Sequence, residues 1–177
     1  MTECCNRGKG EETYPVQLTF LRSELMYDIE NYAYIESDIQ GEESQHAKHM
    51  TADIGDRGNV DRVNRVLTLA HAKATEMLYP YSKREVISGE LDDVMRVPER
   101  YTILLQVPPR MSRTTTRLLE KLVHEYMVYE AVADWLSITN PEASKKWYAK
   151  IEQTREEINK AKSQLMGATT RRMWPAV

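Results

Sequence analysis

The sequence is poor in cysteine and glycine and has no long apolar run. Its two cysteines, Cys4 and Cys5, are adjacent in a polar leader. This is neither a disulfide framework nor a zinc spacing, so both are predicted to be free thiols. Seven glycines in 177 residues favour helix. No stretch approaches the roughly 20 apolar residues that span a bilayer, and the leader lacks the apolar segment of a signal peptide. We therefore expect a protein of the reducing cytoplasm without membrane contact.

The charges of the chain nearly balance. The 24 basic and 27 acidic side chains give a formal charge of −3, whereas a dedicated nucleic-acid-binding protein normally carries a basic excess or stripe. Specific nucleic-acid binding is therefore not expected. The length suffices for one hydrophobic core but not for two. We expect a flexible leader over residues 1–13, one mainly helical domain over residues 14–166 and a tail over residues 167–177.

Apolar residues at three- and four-residue spacing predict two amphipathic helices in the first half of the chain. The first runs from about Pro15 to Glu36, with the proline in its first turn. The second runs from an N-cap at Asn59 to Pro80, which ends it. Between them the period is lost and three glycines occur. This connector is expected to be an exposed, partly helical loop that contributes nothing to the core.

From about residue 82 to residue 111 the pattern becomes that of strands. Apolar and polar residues alternate in RYTILLQV, residues 100–107, as a half-buried strand requires. The segment REVIS, residues 84–88, can pair with it. We therefore expect a mainly α fold with a small antiparallel hairpin or sheet inserted mid-chain.

The last third of the chain predicts a helical hairpin. A wide apolar stripe after a Ser or Thr cap indicates the central helix of the fold, and a narrower stripe follows. Asn140 and Pro141 separate the two. The residue before proline avoids the α region and suits an N-cap, while proline fits the first helical position. The short junction predicts antiparallel helices whose shared end is sealed by Trp135 and Trp147.

Few residues suggest chemistry. His46 and His49 lie one turn apart after Glu42 and Glu43, which could hold a divalent metal, although a solvated polar face explains the spacing better. Residues 53–61, DIGDRGNVD, have the oxygen-rich composition of a calcium loop but lack its closing glutamate. We expect no metal at either place.

The remaining sequence also favours a protein without catalysis. No nucleophile elbow, phosphate-binding loop or dinucleotide fingerprint occurs. His71 and His124 stand alone on apolar helices and are predicted to be hydrogen-bonded packing residues. No enzymatic activity and no cofactor are expected.

The C-terminal tail, GATTRRMWPAV, begins with Gly167, a residue suited to a helix C-cap. It carries Arg171, Arg172, Met173 and Trp174 without any periodicity. Arg and Trp are common interface anchors, so the tail is predicted to be a docking segment. The alternative is that Trp174 folds back on its own domain.

Several stretches resemble a known group of proteins. HAKHMTADIGDRGNVDRVNRVLTLAHAKATEMLYPY, the strand pair, and VADWLSITNPEASKKWYAKIEQTREEINK followed by RRMWPAV look like small proteins encoded in tailed phages and prophages of Bacteroides-type bacteria. Their organisation is similar to that of head–tail connector, or adaptor, proteins. Those are helical domains with a β-hairpin that form a ring beneath the portal. The histidine-containing connector departs from the simplest adaptor layout, which leaves the class of neck protein open.

The resemblance implies a non-enzymatic structural subunit of the virion neck, assembled in the cytoplasm of the bacterial host. It would form a homo-oligomeric ring that contacts the portal and the tail or other neck proteins. Two alternatives remain. One is a cytoplasmic helical interaction or regulatory module that binds a partner through its tail. The other is a metal-dependent enzyme built around His46 and His49.

Overall fold

The computed structural model describes residues 13–39, 45–82, 97–109 and 111–165. In chain order these form β1 (Tyr14–Leu21), α1 (Arg22–Ile39), α2 (Gln45–Ala52), a 3-10 turn (Asp53–Gly55), α3 (Val60–Met77), β2 (Arg100–Val107), α4 (Arg113–Thr139) and α5 (Pro141–Leu165). The fold is mainly α with a small antiparallel sheet, as predicted. The expected leader up to residue 12, the expected strand over residues 84–88 and the tail lie outside the described residues. Within the described ranges, no helix combines the length and apolar character needed to cross a membrane.

The sheet joins two distant parts of the chain. β1 and β2 are antiparallel, with Tyr14 opposite Val107 and Leu21 opposite Arg100. Alternate residues of both strands face the core. The buried ones are Leu18, Phe20, Tyr101, Ile103, Leu105 and Val107.

The sequence predicts β2 correctly and the start of the first helix wrongly. The chain is a strand from Tyr14 to Leu21, and α1 begins only at Arg22. The spacing from Leu18 onward fits a helix, but Leu18 and Phe20 also alternate as in a strand. Pairing with β2 decides the outcome, because tertiary contacts override a local pattern of this length.

α4 is the central helix, as its wide apolar stripe predicts. It contacts α1, α2, α3, α5 and β1, and Ser112 caps its start by accepting a hydrogen bond from the Thr114 amide at 3.2 Å. Burial extends around much of its circumference. The buried residues are Leu119, Val123, Tyr126, Met127, Val128, Ala131, Val132, Ala133, Trp135 and Leu136.

The hairpin of α4 and α5 forms as the Asn-Pro junction predicts. Pro141 is the first residue of α5, and Asn140 Oδ1 accepts a hydrogen bond from the Ala143 amide at 3.1 Å. Trp135 and Trp147 are only 8% and 1% exposed. Both tryptophans therefore belong to the core near this end of the hairpin.

The segment between α1 and α3 enters the core, so the expectation of a purely exposed connector is wrong. Thr51 and Ile54 are fully buried, and the Trp135 indole N–H donates to the Thr51 carbonyl at 2.9 Å. Asn59 stands at the N-cap position of α3, but its side chain donates to the Asp53 carbonyl at 2.8 Å instead of capping the helix. A short helix and a turn thus cover the end of α4. They are too short to show the repeated apolar spacing from which longer helices are predicted.

Candidate interaction surfaces

An aromatic cluster fixes the junction of α1, α4 and α5. The Trp147 ring contacts Tyr32 of α1 and Tyr129 of α4 at centroid distances of 5.0 and 5.4 Å, edge to face in both cases. Tyr32 and Tyr129 contact each other at 6.0 Å. Lys150 places its ammonium 4.1 Å from the Trp147 ring centroid. Offset and edge-to-face ring pairs and a cation over a ring are the favoured geometries for such groups.

A buried carboxylate completes this junction. Glu36 is 5% exposed. Its carboxylate accepts a hydrogen bond from the Trp147 indole N–H at 3.1 Å and forms an ion pair with Lys146 Nζ at 2.6 Å. The tryptophan N–H and the carboxylate thereby satisfy each other inside the core, as buried polar groups must.

Two tyrosines of α4, Tyr126 and Tyr129, have raised pKa values. Burial raises the pKa of Tyr129, and the neighbouring Glu125 carboxylate raises it further. Burial also raises the pKa of Tyr126, helped by its hydrogen bond to Glu130. Since the Lys150 ammonium already lies over the aromatic rings, we interpret the cluster as a structural joint between three helices.

The isolated histidines are hydrogen-bonded packing residues, as predicted. His71 Nε2 donates to the Thr102 carbonyl at 2.9 Å and the ring lies 5.4 Å from that of Tyr101, so it ties α3 to β2. His124 Nε2 donates to Asp28 at 2.8 Å and links α4 to α1. Each of these hydrogen bonds links two elements that are distant in sequence.

The histidines of α2 point away from the core. His46 and His49 are both exposed, while Glu42 and Glu43 lie outside the described residues. In the part of the chain that the structure describes, no three His, Cys, Asp or Glu side chains come together as a metal-binding group. That includes the oxygen-rich stretch over residues 53–61.

The remaining predicted contact residues, Arg171, Arg172, Met173 and Trp174, lie outside the described residues. The structure instead reveals an exposed aromatic face on α1, which we call the α1 face. It comprises Tyr27, Tyr34, Ile35 and Ile39, and its tyrosines are 69% and 62% exposed.

A groove of about 500 Å³ runs along one side of this face. Tyr27 and Tyr34 line it from α1, with Asn31 between them, and Asp53 and Asp56 line it from the 3-10 turn and the residue that follows. The predictions made from the sequence did not include this face. The signal was present, since Tyr27, Asn31 and Tyr34 recur at four and three residues opposite the buried stripe of α1.

Comparison with known proteins identifies no relative. The chain matches no protein-family model, no curated protein sequence and no solved structure. Its function must therefore be inferred from its own residues.

Proposed function

We propose that this protein is a non-enzymatic structural subunit of a phage virion neck, forming a ring that joins the portal to the tail. The observation that carries the proposal is the α1 face. The resemblance of the sequence to connector proteins supports it, as does the mainly helical fold with a small sheet.

The α1 face has the chemistry of a protein contact. Tyrosine is enriched at interfaces because it combines a large apolar ring with a polar tip. Tyr27 and Tyr34 expose most of their surface on one stripe of one helix, and Ile35 and Ile39 extend the exposed apolar area at 43% and 68%. Exposed apolar side chains that are grouped on one helix mark interaction sites more often than isolated ones do.

A ring needs two different surfaces on each subunit. In a heterologous assembly each copy presents one surface to one neighbour and another surface to the next. The α1 face supplies one of these surfaces, and the tail residues from Arg171 to Trp174 are proposed to supply a second contact, to a neighbour or to the portal. The small net charge of −3 allows copies to pack without strong mutual repulsion.

The test is co-assembly with the portal protein encoded nearest to this chain. Mass photometry and electron microscopy of the mixture should show a ring of this protein on the portal. The double variant Tyr27→Ser/Tyr34→Ser should retain its helical circular dichroism but bind the portal or its neighbours more weakly. Tyr148→Ser is the matched control, since Tyr148 is 49% exposed on α5.

The outcomes separate the proposal from its alternative. If the double variant and Tyr148→Ser lose the same amount of binding affinity, the α1 face is not part of the interface. Failure of the full chain to join any virion component would overturn the neck proposal. Binding to a non-virion partner through the same face would then favour the helical interaction module.

A further inference from the structure

The two edges of β1 differ in their hydrogen bonding. On β2, the Gln106 N–H donates to the Tyr81 carbonyl and the Thr102 carbonyl accepts from His71. The backbone N–H and C=O groups of the even-numbered residues of β2 therefore point away from β1. The backbone groups of the odd-numbered residues of β2 point toward β1 and form the hydrogen bonds of the sheet. Their partners in the register are Tyr14, Val16, Leu18 and Phe20.

The opposite edge of β1 consequently presents the backbone groups of Pro15, Gln17, Thr19 and Leu21. Among the described residues, no second strand and no other backbone group pairs with this edge. Gln17 is exposed, Leu21 is 41% exposed, and Thr19 and Val16 are partly exposed. As far as the described residues go, this edge of β1 is therefore free to pair with another strand.

This edge also lacks the usual protection against pairing. Natural edge strands carry lysine or other charges, bulges or prolines that prevent another strand from adding. From Thr13 to Leu21 the chain contains no charged residue. Pro15 alone interrupts the edge, and it stands near the start of the strand, leaving Gln17 to Leu21 unprotected.

We propose that β1 pairs with β1 of a second copy of this chain, antiparallel and around a twofold axis at Thr19. In this register Gln17 lies opposite Leu21 of the other copy, and every N–H that the edge presents finds a carbonyl. A register centred on Leu18 would instead set Leu21 opposite Pro15, which has no N–H to donate. The uncharged strand brings no like charges together, and a Thr–Thr pair across the axis is favourable.

The resulting contact is isologous and merges the sheets of two copies into one continuous sheet. It uses neither the α1 face nor the C-terminal tail. The inference concerns the purified chain in solution and does not rest on the neck proposal, so either can fail without the other.

Cysteine cross-linking tests the position of the axis. In a Cys4→Ser/Cys5→Ser background, Thr19→Cys should form a disulfide-linked dimer under mild oxidation. Thr102→Cys is the matched control, because Thr102 lies directly opposite Thr19 on β2 and away from the proposed contact. Cross-linking of Thr19→Cys no faster than that of Thr102→Cys would overturn the proposal.

Charge substitution tests the same contact without covalent chemistry. Sedimentation should show a concentration-dependent dimer for the natural chain and for Thr102→Lys. In Thr19→Lys two ammonium groups would meet at the axis, so the dimer dissociation constant should rise about tenfold or more. Circular dichroism and thermal unfolding verify that both lysine variants remain folded.

Two results would contradict the pairing. A natural chain that stays monomeric, with its Thr19 amide protected from hydrogen exchange, would show that another segment of the same chain covers the edge. A Thr19→Lys dimer as tight as the natural one would show that the copies associate elsewhere.

Discussion

At the scale of single residues, Trp147 of α5 contacts side chains of both α1 and α4. It packs on Tyr32 and Tyr129, lies under Lys150 and donates to Glu36. Three helices therefore meet on one side chain that is 1% exposed. Its removal would leave a cavity and would take away one of the two partners of the buried Glu36 carboxylate.

We expect Trp147→Ala to lower the free energy of unfolding by about 3–5 kcal/mol, as for other buried large-to-small substitutions. Urea denaturation followed by circular dichroism measures this. Tyr148→Ala is the control on the next residue, and since Tyr148 is half exposed its effect should be within about 0.5 kcal/mol. Similar losses in both variants would mean that the aromatic cluster does not stabilise the fold.

Tyr126, which is buried, and Tyr129, which is partly buried, predict a loss of stability in alkali. Burial raises the pKa of Tyr126 and of Tyr129, whereas tyrosine in the unfolded chain ionises at about pH 10. Above that pH the unfolded state binds fewer protons than the folded state, so the free energy of unfolding falls as the pH rises. Below about pH 10 this contribution to stability is complete.

Substitution by phenylalanine checks this pH dependence. Tyr126→Phe/Tyr129→Phe should lose less stability than the natural chain between about pH 8 and about pH 11, because two of the groups that ionise on unfolding are gone. Tyr148→Phe should follow the natural chain. An equal fall in all three proteins would show that Tyr126 and Tyr129 do not cause it.

Residue-level prediction from the sequence succeeded where the signal was local. The burial of Trp135 and Trp147 and the cap at Asn140 follow from one stretch around the Asn-Pro junction. The partners of Trp147 on α1 and α4 could not be found in this way. Their contact depends on how three helices pack, and no spacing within one helix encodes it.

At the scale of elements, the junction at Asn140 is the clearest case of a short sequence deciding a structure. Asn140→Ala removes the acceptor of the Ala143 amide and should destabilise the protein by about 1 kcal/mol. Asn140→Asp keeps an acceptor and should stay close to the natural stability. If both variants unfold at the same urea concentration, side-chain capping does not stabilise α5.

The first strand shows why element type was predicted wrongly. YPVQLTFL contains β-favouring Tyr, Val, Thr and Phe, but its leucines also continue the period of α1. Pro15 was interpreted as a first-turn residue, although proline is equally tolerated on an edge strand. The partner that selects the strand, β2, begins 79 positions after Leu21, as the register of Leu21 and Arg100 shows, so the local pattern alone could not decide.

At the scale of the whole molecule, the described part of the core is built from residues that precede the tail. The last residue of the hydrophobic core in the described ranges is Ala161. Buried residues come from both strands and from α1, α3, α4 and α5. We therefore expect that folding does not require the tail, and we propose that the α1 face and the tail contact other chains.

Deletion of residues 168–177 tests this division between core and contacts. The truncated chain should keep its circular dichroism and its free energy of unfolding, because no described core residue is removed. It should bind the portal or neighbouring subunits more weakly, since the proposed Arg171, Arg172, Met173 and Trp174 contacts are lost and Trp and Arg dominate interface energies. An equally long deletion, residues 2–11, is the control and should bind as the full chain does. A loss of stability on tail deletion would place Trp174 in the fold of its own chain, and unchanged binding would show that the tail is not an interface element.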